Sequence, residues 1–236
     1  MMDNFKSSDK IGDIVTVFPG ASNLFLEYKV DFCCGGNRPL IEAIEEQNID
    51  ESEIITILNE RYREFMDSNE KFTDWAKESP SKLVDYVVGK HHFYLNKELP
   101  IISELTLKIL KVHGDKHTEL FEVHRLFNNL RTELEGHLVK EEKFIFPMIK
   151  EYEENKINSD KEKLLNDLRE LEDEHTGAGD IIKELRKVTD HYNTPKDTCR
   201  TYELTYRKLR EMEEDIFQHI HLENNILFKN LYREEE

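Results

Sequence analysis

His137-Leu138-Val139-Lys140-Glu141 and His219-Ile220-His221-Leu222-Glu223 repeat one pattern, a histidine followed four residues later by a glutamate, and each repeat interrupts an apolar stripe. The first stripe reads Leu130, Leu134, His137, Glu141, Ile145 and Met148, and the second reads Leu209, Met212, Ile216, His219, Glu223 and Ile226. Spacings of three and four put each set on one face of a helix, with His and Glu one turn apart where apolar residues belong. Two further stripes flank them: Leu164, Leu168, Leu171, His175, Ile182 and Leu185, and Val84, Val88, His92, Leu95, Leu99 and Ile102. Each is interrupted by a single histidine.

These stripes predict four helices at roughly 80–111, 117–150, 160–190 and 196–232, broken by Gly114-Asp115, by Asn155 to Ser159 and by Asn193-Thr194-Pro195. Short connections favour antiparallel neighbours, so an up-down-up-down four-helix bundle is expected over residues 80–236. Ser79-Pro80 opens it with an N-cap and a proline at the first helical position. Before it, polar residues from Asp67 to Ser79 read as a linker. Residues 1–66 read as a small helical domain from four short apolar groups: Ile11, Ile14, Val15 and Phe18; Leu24, Phe25 and Tyr28; Leu40, Ile41 and Ile44; and Ile54, Ile57 and Leu58. Asp50-Glu51-Ser52-Glu53 is a candidate capping box for the last of these. The fold class is all-α.

Composition limits the partners. A formal net charge of −17, with no basic stripe to offset it, repels nucleic acid and anionic membranes. No run approaches the ~18 apolar residues of a membrane span, and no apolar leader follows Met1. Three cysteines, two of them adjacent, make no disulfide framework. A cytoplasmic protein is expected.

Burying two carboxylates and four imidazoles without partners costs several kcal/mol for each charged group, more than a marginally stable domain can offset. A metal centre satisfies them together. Imidazole nitrogen and carboxylate oxygen, with no thiolate, suit iron or manganese, and two glutamates from different helices can each bridge a metal pair. The expected ligands are therefore His92, His137, Glu141, His175, His219 and Glu223, with two iron ions as cofactor. His91 replaces His92 if the first helix is turned by about 100°. Glu133, one turn before His137, and Glu174, beside His175, are candidate hydrogen-bond partners of the ligands, or solvated glutamates on charged helices. His113, His117, His124, His191 and His221 fall off the metal level or off the stripes and read as surface or loop residues. Cys199 reads as inert.

The span from Pro80 onward resembles the hemerythrin-like HHE domain, through Lys90-His91-His92, His137 to Glu142 with Phe146-Pro147-Met148-Ile149, Glu174-His175, and His219 to Asn225. With Asp31-Phe32-Cys33-Cys34-Gly35-Gly36 near the start, the whole chain is similar to the Repair of Iron Centers family, bacterial di-iron proteins that restore damaged iron–sulfur clusters. One departure is His91, where that family's pattern has tyrosine before the histidine. The resemblance implies an oxo-bridged non-haem di-iron centre, damaged iron–sulfur proteins as partners, O2 or NO as small ligands, and iron donation or redox chemistry as the activity. An O2- or NO-binding sensor or carrier and a nitric oxide reductase are the alternatives, and self-association as a homodimer is left open. Cys33 and Cys34 are candidate transfer or redox thiols, with a pKa lowered by the helix start expected after Pro39, or else small buried core residues.

Overall fold

The computed structural model describes residues 4–68, 72–155 and 161–233. Among these no strand forms, and an isolated bridge joins Lys10 to Pro39. No described helix is long and apolar enough to cross a membrane. Residues 69–71 of the expected linker, and 156–160, where the loop from Asn155 to Ser159 was expected, lie outside the described residues. The chain forms two compact units, Pro80–Ile216 and Met1–Ser79 with Phe217–Glu236. One division falls at Pro80 and the other after Ile216.

The unit from Pro80 to Ile216 is built from four helical rods. The first runs through α5 (Pro80–Val87), a π-turn (Val88–His92) and α6 (Phe93–His113). The second runs through α7 (Glu119–Lys140), a π-turn (Glu141–Ile145) and α8 (Phe146–Asn155). The third is α9 (Lys161–Val188), and the fourth is α10 (Arg200–Leu222), within which the unit ends. Antiparallel order is written in the side-chain pairs. Ser81 and Asp85 at the start of the first rod bond Glu153 and Lys150 at the end of the second. His91, Glu98 and His113 of the first rod meet Asp215, Lys208 and Tyr202 of the fourth in reversed order. Arg186, near the end of α9, pairs with Glu213, which also accepts from Tyr192.

The predicted stripes form the core, with two one-residue shifts. Val87 is buried and Val88 is only half-buried, and Ile149 is buried where Met148 was expected. Both shifts lie at π-turns, each of which inserts an extra residue and rotates the following face. The second ends two residues before Pro147, whose ring would crowd the Lys143 carbonyl and which has no N–H to offer it.

The other unit packs α1 (Ile11–Val17), α2 (Ala21–Glu27), α3 (Leu40–Gln47) and α4 (Glu51–Asp67) around Ile11, Ile14, Leu24, Phe25, Phe32, Leu40, Ile54 and Leu58. Asp50 caps α4 by accepting from the Glu53 amide at 2.9 Å. The turn that carries the two cysteines, between α2 and α3, is tied to α1 by Gly12 N–H donating to the Gly36 carbonyl at 2.8 Å. In this unit the chain also continues past Leu222 through a third π-turn (Glu223–Phe228) and α11 (Lys229–Arg233).

Candidate metal centre

Within the Pro80–Ile216 unit four of the predicted ligands converge. Glu141 is fully buried, with its two oxygens turned to different rings: Oε2 lies 3.2 Å from His92 Nε2 and Oε1 lies 3.3 Å from His137 Nε2. His175 Nε2 lies 3.0 Å from His137 Nε2. Glu141, His137 and His175 are brought together from the second rod and from α9. His92 comes from the first rod.

The outward ring nitrogens have carboxylate partners. His137 Nδ1–H donates to Glu174 Oε2 at 2.7 Å, and His92 Nδ1–H donates to Glu142 Oε1 at 2.9 Å. Each bond fixes the proton on Nδ1 and leaves Nε2 facing inward with its lone pair, the arrangement typical of metal-binding histidine. The His137 hydrogen bond, with help from Lys140 at 2.9 Å, holds the Glu174 carboxyl down at about 2, so this partner stays ionised. Glu133 is exposed instead of lying beside His137. The His137 Nδ1–H that it could have accepted is given to Glu174. Stripe spacing does not mark Glu142 as a partner; its only signal in the sequence is adjacency to Glu141.

His91 is as deeply buried as His92 but turned elsewhere, its Nδ1 3.0 Å from Asp215 Oδ1 and its ring edge-on to Tyr86. The structure brings His92, not His91, to Glu141.

The donor set fits iron. Ligand atoms at ~2.1 Å on adjacent corners of an octahedron are about 3.0 Å apart, and the contacts above run from 3.0 to 3.3 Å.

In the second unit His219 Nε2 lies 2.9 Å from Glu223 Oε1, both side chains buried. His221, expected at the surface, is buried as well, because the face of this turn two residues away is covered. Its ring lies edge-on to Phe32, and burial pushes its pKa down to about 4. Phe217 packs on Phe32, the Asn225 amide donates to the Phe32 and Cys33 carbonyls at 3.3 and 2.9 Å, and Lys229 pairs with Asp13. Residues 217, 221, 225 and 229, four apart, thus form a contact face that the sequence reading missed.

Cys33 is buried and Cys34 half-buried, both as free thiols. The expected thiolate stabilisation is absent at Cys33: burial, its hydrogen bond with Cys34 and the charge of Asp31 push its pKa up. The nearest following helix begins only at Leu40, too far along the chain to act on it. Cys199, read as inert, has a partner: His113 Nε2 lies 3.2 Å from its sulfur and brings its pKa to about 7. His117 meets Glu119 and Asp197, His124 meets Thr106 and Asn128, and His191 is exposed in a loop.

Two family models divide the chain between them. One, described as a domain of unknown function, DUF542, matches residues 7–62, and the Hemerythrin HHE cation binding domain matches residues 83–231. A probable iron-sulfur cluster repair protein of Haemophilus influenzae is 31% identical over 97% of this chain and 98% of its own length. The iron-sulfur cluster repair protein ScdA of Staphylococcus haemolyticus is 30% identical over 92% of this chain and 95% of its own. YtfE of an Enterobacter species, of the same description, is 29% identical over 92% and 94%. The chain belongs to the Repair of Iron Centers family, the iron–sulfur cluster repair proteins with a hemerythrin-like HHE domain.

Proposed function

We propose that His92, His137, Glu141, His175, His219 and Glu223 together hold two non-haem irons, and that the chain uses this centre to repair iron–sulfur clusters damaged by oxidative or nitrosative stress in the cytoplasm. The observation that carries the reading is the buried Glu141 carboxylate, shared between two imidazoles whose outer nitrogens are held by carboxylates. The second H-x-x-x-E turn, with His219 and Glu223 in contact and buried, supplies the same donors. Support also comes from the HHE match, which spans all six residues.

Iron held by these residues supplies one-electron redox and exchangeable coordination positions open to O2 or NO. The protein's own part is positioning. Glu142 and Glu174 hold the proton on each Nδ1, and Lys140 balances the Glu174 charge. Leu134 and Leu138 on α7, with Leu171 and Ala178 on α9, are buried within a turn of the donors, and such low-dielectric surroundings strengthen the attraction of the donors for a cation.

The test is restoration of an aconitase-type enzyme whose cluster has been destroyed by NO. Iron-loaded protein is expected to restore activity, and protein stripped of iron is expected to fail. Equal restoration by both would refute a role for the centre, and NO binding or reduction without restoration would favour a sensor or reductase.

A further inference from the structure

We propose that Asp31, Cys33 and Cys34 form a separate cation site, which takes a ferrous ion in transit toward a damaged cluster. One donor atom from each lies within 4.8 Å of the others. The Cys33 and Cys34 sulfurs are 3.8 Å apart, too far for the ~2.05 Å of a disulfide. Two thiolates bound tetrahedrally to one divalent ion at ~2.3 Å are about 3.8 Å apart, so adjacent cysteines on this turn span one edge of a tetrahedron without rearrangement. Asp31 Oδ1 lies 3.3 Å from Cys33 Sγ and extends the set to three donors.

The turn is held from outside its own sequence. Asp31 Oδ1 accepts from the Cys33 and Gly35 amides at 3.2 and 3.1 Å. The Asn225 amide holds the Phe32 and Cys33 carbonyls. A Cβ on Gly12 or Gly36 would lie 2.3 or 2.2 Å from Asn225 Oδ1, so both positions must be glycine for that side chain to reach the turn. A thiol pair needed only to fill a core would not require this fixing of its backbone.

Three protein donors leave a fourth corner, on the side where Asp31 and Cys34 are half-buried. Sites with three protein ligands exchange the fourth, whereas closed four-ligand sites hold their metal for structure. Transfer is then a ligand exchange with no change of oxidation state. Client cysteines bind Fe2+ and release their protons, the Asp31, Cys33 and Cys34 bonds to the ion break, and the two thiols take up protons again. The role in transit rests on the repair reading above, taken as iron donation; the site itself does not.

The test is anaerobic titration of the iron-loaded full chain with Co2+, whose charge-transfer band from sulfur reports thiolate ligation. The six proposed iron ligands include no sulfur, so that centre cannot give the band. One equivalent of Co2+ is expected to produce it. Cys33→Ser and Cys34→Ser should each abolish the band with iron content and circular dichroism unchanged, Asp31→Asn should weaken binding, and Cys199→Ser should have no effect. Wild type without the band, or a band that survives in the Cys33→Ser and Cys34→Ser proteins, overturns the site. Fe2+ in roughly tenfold or larger excess is expected to displace the cobalt, following the order of divalent affinities; cobalt that stays in place overturns the transit role. Glu141→Ala is expected to lose its iron yet keep the cobalt band, so failure of the iron-centre reading and failure of this site give different results.

Discussion

The two H-x-x-x-E turns carry the same donors in different surroundings. From His137 to Phe146 one face stays in solvent: Val139 is 56% exposed and Phe144 63%. From His219 to Phe228 every residue is buried. The first turn therefore has outer partners reachable by water, Glu142 and Glu174. The second has its outer face occupied by Phe32 and the Cys33 carbonyl, so the backbone that positions Glu223 also positions the cysteine turn. One motif brings a histidine and a glutamate together in both places and serves as a clamp in only one.

The largest expected effect tests what the turns share. Glu141→Ala and Glu223→Ala should each take iron from about two per chain to nearly none, because a bridging carboxylate supports both ions. His117→Ala should leave iron content unchanged. If Glu223→Ala kept full iron, the second turn would be a clamp alone.

The next prediction concerns the first rod, where His92→Ala should abolish the paired-iron signal in electron paramagnetic resonance and His91→Ala should preserve it. The reverse outcome would require the π-turn at Val88–His92 to present the other ring. The difference between the two turns is sharpened by Asn225→Ala, which leaves two buried carbonyls without their donor. It should cost about 1–3 kcal/mol in urea unfolding, whereas Val139→Ala, at an exposed position of the first turn, should cost no more than about 0.5 kcal/mol. Equal costs would remove the clamp.

The smallest effect lies away from both turns. Alkylation of Cys199 should be half-maximal near pH 7, since the thiolate is the reactive form and His113 stabilises it. His113→Ala should move the midpoint up toward the ~8.5 of an ordinary thiol. An unchanged midpoint would mean that the His113 contact does not act on the sulfur.

Much of this was legible in the sequence. Apolar spacing gave the four rods and the small helical unit, and the polar interruptions pointed to the residues that now meet around Glu141. Periodicity failed where its assumption of 3.6 residues per turn failed. The π-turns moved burial from Val88 to Val87 and from Met148 to Ile149, and nothing in a stripe signals an inserted residue except, at the second, Pro147. Stripe reasoning also assigns each helix a single inward face. His221, which the stripe puts at the surface, and Asn225 lie on a second face, covered by a part of the chain some 190 residues away. Of the two readings of Cys33, its burial fits the small core residue, and the lowered pKa fails for a related reason: its electrostatics depend on burial and on Asp31, which a motif does not show.

Metal analysis of the purified protein, combined with its absorption spectrum, tests the central claim most directly. Two irons per chain, with a near-ultraviolet iron charge-transfer band that disappears in Glu141→Ala, is the predicted result. A single zinc per chain, or iron that survives the loss of Glu141, would contradict it.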